Sequence, residues 1–171
     1  GTGNQVGVAP GAKWIGCRNM DQGNGTPATY SECFQFFIAP TNLAGANPDP
    51  TRRPHVMNNS WGCPIVEGCT TGAELETIVN NTLASGIFVV VSAGNDGPGC
   101  STVSNGTNAG PPATYAGSFS VGSISGSTNT LSSFSSRGPS LFYTPGILKP
   151  NISAPGASVR SSTRTSDISY G

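Results

Sequence analysis

The stretch Val89–Cys100, VVVSAGNDGPGC, joins a run of β-branched valines to small and polar residues. The valines predict a buried β-strand, and the glycines and Asn95 predict a turn directly after it. Taken alone, Asn95 is a turn-forming residue. At the tip of a strand, however, its side-chain amide is also a donor that stabilises negative charge on a bound group. The surrounding sequence favours one of these two interpretations.

A helix is predicted between the strand candidates 55–60 and 87–92. Its apolar face recurs with helical spacing and comprises Leu75, Ile78, Val79 and Leu83. Thr71 and Glu74 have the spacing of a capping box at the helix start, and Gly86 stands where a left-handed cap ends a helix. A strand–helix–strand unit of this kind connects parallel strands by a right-handed crossover.

Further elements are predicted on both sides of this unit. The other strand candidates are residues 13–17, 118–124 and 148–156. A second helix is predicted to begin at Thr29, with Thr29 and Glu32 as its capping box, and to stop before Pro40. Because residues 87–92 are apolar on both faces, we predict an α/β fold: an open, mostly parallel sheet with helices on both faces.

Composition narrows the classes of function. Charged residues make up 9% of the 171-residue chain and the formal net charge is zero. The chain therefore lacks the basic surface that neutralises nucleic-acid phosphates. No apolar stretch reaches the roughly 20 residues that a membrane-spanning helix requires. We expect neither nucleic acid nor a membrane as a partner.

Cysteine and histidine usage argues against a metal site. His55 is the only histidine, and no two of the five cysteines have CxxC spacing, so we expect no zinc site and no cofactor. We interpret His55 as a structural or surface residue. The odd cysteine count excludes complete intramolecular pairing, but Cys63 and Cys69 are close enough to close a small loop. Such a disulfide, with low charge and many small polar residues, predicts a secreted protein.

The carboxyl ends of the predicted strands carry the candidate site. Open α/β sheets bind ligands at this edge, and two strand ends there combine small residues with accessible backbone: Ser60-Trp61-Gly62 and Ser92-Ala93-Gly94-Asn95. A peptide can add itself as a strand along such an edge. For Trp61 the alternative is simple core packing.

Five segments resemble, in order and spacing, the subtilisin-like serine proteases, or subtilases, and most closely the branch around bacillopeptidase F. They are NNSWG (58–62), VVSAGNDGPGCSTV (90–103), PPATYAGSFSVGS (111–123), SSFSSRGP (132–139) and KPNISAPG (149–156). VGVAPGAKW (6–14) fits the same family. Several motifs in one order across nearly the whole chain make this resemblance specific.

The resemblance implies roles for the residues at the strand ends. Asn95 matches the family's oxyanion asparagine, whose amide donates to the oxygen that becomes negative in the tetrahedral intermediate. The residues implied to bind the substrate are Ser60, Trp61, Gly62, Ala93, Gly94 and Gly110. Ser60–Gly62 matches the segment that pairs with the substrate backbone, Ala93–Gly94 matches a wall of the specificity pocket, and Gly110 is near its base. Asp96 at the rim is expected to favour a basic substrate side chain.

The resemblance also implies which part of the family's catalytic domain is present. We interpret residues 1–171 as a partial domain that begins after the catalytic histidine and ends just before the catalytic serine, so that no triad residue is included. The parent protein is then a serine endopeptidase acting on peptides and proteins. The 171 residues alone are expected to be inactive.

Alternatives and further expectations follow from this interpretation. The main alternative is a non-catalytic peptide-binding module on the same scaffold; a third option is that another chain supplies the missing parts. Calcium sites occur in the family, but no carboxylate cluster in this sequence supports one. Because a truncated sheet leaves apolar faces bare, we expect self-association.

Overall fold

The computed structural model describes residues 7–105 and 110–160 and contains a four-stranded parallel sheet. The elements are α1 (Pro27–Ile38), β1 (Val56–Asn59), α2 (Glu76–Ala84), β2 (Phe88–Ser92), a short helix α3 (Thr102–Asn105), β3 (Phe119–Ser125) and β4 (Ile152–Ala157), with 3-10 turns at Pro50–Arg52 and Ile65–Glu67. The strands lie side by side in the order β1, β2, β3, β4. The predicted α/β class and parallel sheet are confirmed.

The predicted strand–helix–strand unit forms β1, α2 and β2. Strands β1 and β2 pair in parallel from Val56 opposite Phe88 to Asn59 opposite Val91. Helix α2 ends as expected, because Gly86 takes a φ of +91° and its N–H donates to the carbonyl of Leu83 at 2.9 Å.

The start of α2 differs from the prediction. The helix begins at Glu76, and Thr71 and Glu74 form a separate turn before it. The Glu74 carboxylate accepts from the N–H of Thr71 at 2.7 Å and from its hydroxyl at 2.9 Å, which is one half of a capping box. The other half is missing because the Thr71 hydroxyl accepts from Ala73. Gly72, at a φ of +81°, prevents the helix from starting earlier.

The turn at Thr71–Glu74 makes the free energy of unfolding depend on pH in the acidic range. Partial burial alone raises the pKa of Glu74, but hydrogen bonds from Thr71, from its own N–H and from Thr70 outweigh this and lower the pKa to about 2 from 4.5. The ionised form therefore stabilises the folded state above pH 4.5, and this contribution is lost as the pH falls from 4.5 towards 2. We expect Glu74→Gln to lower the free energy of unfolding at pH 7 by less than about 1 kcal/mol, because the side chain is partly exposed and solvent screens its interactions.

Urea titrations at several pH values test this expectation. The difference between the wild-type protein and Glu74→Gln should shrink steadily between pH 5 and pH 2. The control is Glu32→Gln, which removes an exposed carboxylate on α1. A difference that stays constant over this pH range would contradict the assignment.

Helix α1 begins two residues earlier than predicted. Its N-cap is Thr26, not Thr29: the Thr26 hydroxyl accepts from the N–H of Thr29 at 3.2 Å, and the Thr29 hydroxyl accepts from the N–H of Thr26 at 3.0 Å. The predicted box of Thr29 with Glu32 is therefore wrong. Pro27 at the first helical position favours the earlier start, because proline lacks an N–H that the first turn cannot use. The helix ends at Ile38, before Pro40, as expected.

Residues 13–17 do not form the predicted buried strand. The side chain of Trp14 is 87% exposed, and the segment joins no strand ladder in the part of the chain that the structure describes. A strand requires a neighbour that takes its backbone N–H and C=O groups, and β1 has β2 as its only neighbour there. A disulfide from Cys17 to Cys33 instead ties the end of this segment to α1.

The hydrophobic core lies on one face of the sheet. It includes Tyr30 and Phe34 of α1, Leu75 and Val79 beside and within α2, and Met57, Val89 and Val91 of the strands. Both helices therefore cover the same face. Cover on the second face, which the prediction included, is not formed by residues 7–105 or 110–160.

The second face of the sheet is apolar and accessible, and we call it the open face. Strand alternation and register place on it Val56, Phe88, Val90, Phe119, Val121 and Ile152. Phe88 is 47% exposed and Ile152 is 49% exposed. The rings of Phe88 and Phe119 pack together with centroids 5.1 Å apart. The apolar sequence of β2 thus predicted the character of both faces correctly, although the described residues cover only one of them.

Candidate active site

A cavity of about 440 Å³ lies on the open face at the carboxyl ends of the strands. It is lined by Asn58, Ser60, residues 90–95, residues 121–123, Phe134 and residues 154–156. Each strand therefore contributes to it, as expected for the ligand edge of an open α/β sheet. Of the residues predicted to form the site, it brings together Ser60, Ala93, Gly94 and Asn95.

The side chain of Asn95 lies at this cavity. Its side chain is exposed, and no hydrogen bond joins it to any residue in the described ranges. Gly94, immediately before it, takes a φ of +99°, a conformation that side chains with a Cβ rarely adopt. The chain therefore turns sharply at the end of β2 and leaves Asn95 at the cavity, where its donor is free to meet a ligand.

Ser60 and Ala93 flank this amide on neighbouring strands. Ser60 follows directly after β1, and its hydroxyl accepts from the Asn58 side chain at 3.0 Å. Ala93 is buried, and its N–H donates to the carbonyl of Val121 at 2.9 Å, which extends β2 along β3. The parallel register thus aligns the ends of β1 and β2 beside each other.

Trp61 points into the core rather than into the cavity. Its ring stacks on Tyr30 with centroids 3.9 Å apart and meets the edge of Phe34 at 6.3 Å. Burial, and then the hydrogen bond that the Tyr30 hydroxyl donates to Glu67, raise the pKa of Tyr30. The side chain of Trp61 therefore has the packing role that was the alternative for it. Neither Trp61 nor Gly62 lines the cavity, and backbone pairing at this segment stays a prediction.

Gly110 belongs to a different cavity. This second space, of about 750 Å³, is bordered by the Cys63–Cys69 disulfide, Gly110, Leu141 and Phe142. Gly110 is buried with a φ of +129°, and the next residue, Pro111, accepts from the N–H of Cys63 at 2.8 Å. The residue after Gly110 is therefore hydrogen-bonded to the segment that follows Gly62. Gly110 itself does not line the cavity that contains Asn95.

Asp96, His55 and Cys100 do not line the cavity that contains Asn95, although Asp96 is the next residue in the chain. His55 is exposed at the amino end of β1, opposite the cavity, where its carbonyl accepts from Phe88. The predicted disulfide between Cys63 and Cys69 is present, and Cys100 is exposed without a disulfide.

Within residues 7–105 and 110–160, no group of three or more His, Cys, Asp or Glu side chains could hold a metal ion. The same residues include no helix long and apolar enough to span a membrane.

Segment 132–136 borders the cavity through Phe134, which was not predicted from the sequence. This serine-rich segment contacts the loop after Asn95: the N–H of Gly97 donates to the carbonyl of Phe134 at 2.9 Å. The motif was visible in the sequence, but the pairing joins residues about forty positions apart, and no local pattern indicates it.

The parallel sheet, with a cavity at its carboxyl edge, defines the class as an open-sheet α/β protein. The chain belongs to the subtilase family, whose family model matches residues 1–170. This family membership confirms the resemblance found in the motifs.

Individual relatives agree with the family. The chain is 39% identical over 165 residues to bacillopeptidase F of Bacillus subtilis (strain 168), covering 93% of this chain and 10% of that protein. It is 31% identical over 156 residues to subtilisin E of the same organism, covering 91% of this chain and 33% of that protein. The chain thus spans about a tenth of the length of bacillopeptidase F and about a third of the length of subtilisin E.

A solved structure shows the same fold. The S41 psychrophilic protease superimposes with a TM-score of 0.56 at 23% identity, covering 83% of this chain and 42% of that chain. At this identity the likeness concerns the fold alone.

Proposed function

We propose that the protein of which these residues form part is a serine-type endopeptidase, and that Asn95 donates a hydrogen bond to the oxyanion of its tetrahedral intermediate. The observation that carries this proposal is the exposed amide of Asn95, which lies in a cavity at the carboxyl end of β2 and has no hydrogen bond to any of the described residues. A fixed donor of this kind stabilises the transition state more than the ground state, because charge develops only as the reaction proceeds.

The substrate proposed for this site is an extended peptide. Ser60, Trp61 and Gly62 continue β1 beyond its last paired residue, Asn59, so that a peptide backbone can align there as an added strand. The packing of the Trp61 ring on Tyr30 supports this role, since it holds the segment in place while leaving its backbone for the substrate. In this proposal Ala93 and Gly94 form one wall of the specificity pocket.

The nucleophile and base are proposed to lie outside these 171 residues. In a Ser-His-Asp mechanism the histidine takes the serine proton and the serine attacks the carbonyl. His55 is at the wrong end of β1 for this task. The proposed reaction uses protein groups alone and needs no cofactor.

Two disulfides, Cys17–Cys33 and Cys63–Cys69, support the proposal that the protein is secreted.

Labelling with a serine-directed fluorophosphonate tests this proposal. We expect the full-length protein to be labelled at a serine outside residues 1–171 and to show a burst of product from an activated ester, because an acyl-enzyme accumulates. The isolated 171-residue chain should show neither signal. Labelling of the isolated chain would contradict the assignment of the nucleophile. A full-length protein that binds peptides without hydrolysing them would instead favour the non-catalytic module.

A further inference from the structure

We infer that Ser136 is a positioning residue for Asn95, an inference that rests on the proposed function. Ser136 is 1% exposed and contacts the residues on both sides of Asn95. Its N–H donates to the carbonyl of Gly94 at 3.0 Å, and its hydroxyl accepts from the N–H of Asp96 at 3.0 Å. One buried serine therefore fixes the two peptide groups that bracket the proposed oxyanion donor.

We call the two bonds from Ser136 to Gly94 and Asp96 the clamp. A third bond extends this clamp by one residue. The N–H of Gly97 donates to the carbonyl of Phe134 at 2.9 Å. The approach is so close that a Cβ on Gly97 would lie 2.3 Å from the carbonyl oxygen of Ser135 and 2.5 Å from that of Ser133. Glycine at position 97 thus allows the loop to lie directly on the segment 132–136.

The clamp is itself anchored on the sheet. The Ser135 hydroxyl accepts from the N–H of Ser123 in β3 at 3.0 Å, and the hydroxyls of Ser132 and Ser123 are 2.8 Å apart. Ser132 and Ser135 are both buried. The loop carrying Asn95 is therefore connected through segment 132–136 to a central strand, and not only through its own chain to β2.

This arrangement has a direct consequence for the proposed chemistry. An oxyanion donor is effective when it is already aimed at the position of the developing charge, so that no reorganisation is needed during the reaction. The Asn95 side chain has no hydrogen bond of its own among the described residues, and its aim depends on the backbone at positions 94 to 96. Ser136 supplies the two hydrogen bonds nearest to Asn95 that fix this backbone, and it acts on the reaction only through Asn95.

A double-mutant cycle in the full-length protein tests this inference. We expect Ser136→Ala to lower kcat by about 10- to 100-fold, with KM changed by less than about twofold, because the loss falls on the transition state. In the Asn95→Ala background, the same substitution should change kcat by less than about twofold, since the group that it positions is gone. A residue with a merely structural role would lower kcat by the same factor in both backgrounds.

A matched control and a second variant complete the design. Ser118 is also 1% exposed, but its hydroxyl has no partner among the described residues, so Ser118→Ala should leave kcat unchanged. Should Ser136→Ala reduce the folded fraction seen by circular dichroism, Ser136→Cys allows the same comparison, since sulfur is a weaker acceptor of similar size.

The outcomes separate this inference from the proposed function. Unchanged kcat in Asn95→Ala would overturn the proposed function. A large loss in Asn95→Ala together with an unchanged kcat in Ser136→Ala, or equal losses in both backgrounds, would overturn only the role of Ser136.

Discussion

Replacing Asn95 with alanine in the full-length protein is expected to lower kcat by about 10²- to 10³-fold, with little change in KM. Loss of one oxyanion donor has this magnitude in a subtilisin, where it was measured. The physical reason is that the amide at the end of β2 meets a charge that exists only in the transition state, so that substrate binding is largely unaffected. Steady-state kinetics on a peptide substrate measure both constants.

Two further variants separate charge from shape. Asn95→Asp has nearly the same shape, but it replaces the donor with a carboxylate and is expected to lower kcat at least as much as alanine. Asn81→Ala removes an exposed asparagine on α2 and should leave kcat unchanged. An Asn95→Ala protein that retains more than half of the wild-type kcat is incompatible with the oxyanion role.

Local patterns in the sequence predicted the elements whose structure depends on nearby residues. The apolar spacing of α2, its glycine cap at Gly86 and the valines of β2 each involve contacts within a few positions or within one element. The end of β2 in a tight turn at Asn95 was predictable for the same reason. For α1, the same local chemistry indicated the helix but not which of two threonines, Thr26 or Thr29, begins it.

Features that depend on distant partners were not predictable from these patterns. Residues 13–17 have the apolar character of a strand, but whether they form one depends on a neighbouring strand. The direction of Trp61 depends on the position of Tyr30 in α1. The contact of Ser136 with the loop around Asn95 joins residues forty positions apart. In each case the deciding interaction is tertiary.

Lys149 illustrates the same limit for a charged residue. Lysine is almost never fully buried, yet this side chain is only 3% exposed. Its ammonium group donates to the carbonyl of Ser118 and to the side chain of Asn151. Burial lowers the pKa of Lys149 to about 8. The motif that contains Lys149 was recognised, but its burial between the starts of β3 and β4 required the assembled sheet.

The isolated 171-residue chain is expected to self-associate through the open face. Phe88 and Ile152, each about half exposed, lie there among other apolar side chains of adjacent parallel strands. Contiguous apolar surface of this kind is rarely left in contact with water. Because a second copy presents the same face, burying both faces together removes the most apolar surface at the least conformational cost.

A pair of lysine substitutions gives this expectation a measurable size. In Phe88→Lys with Ile152→Lys, association must bury unpaired charge at a cost of about 3 kcal/mol or more, so that the dissociation constant rises by at least about 100-fold. Size-exclusion chromatography with light scattering should then detect a monomer where the wild-type chain is oligomeric. Leu43→Lys is the control, since Leu43 is fully exposed but isolated in a loop. A compact wild-type monomer at high concentration, or equal loss of association in the control, would exclude the open face as the site of contact.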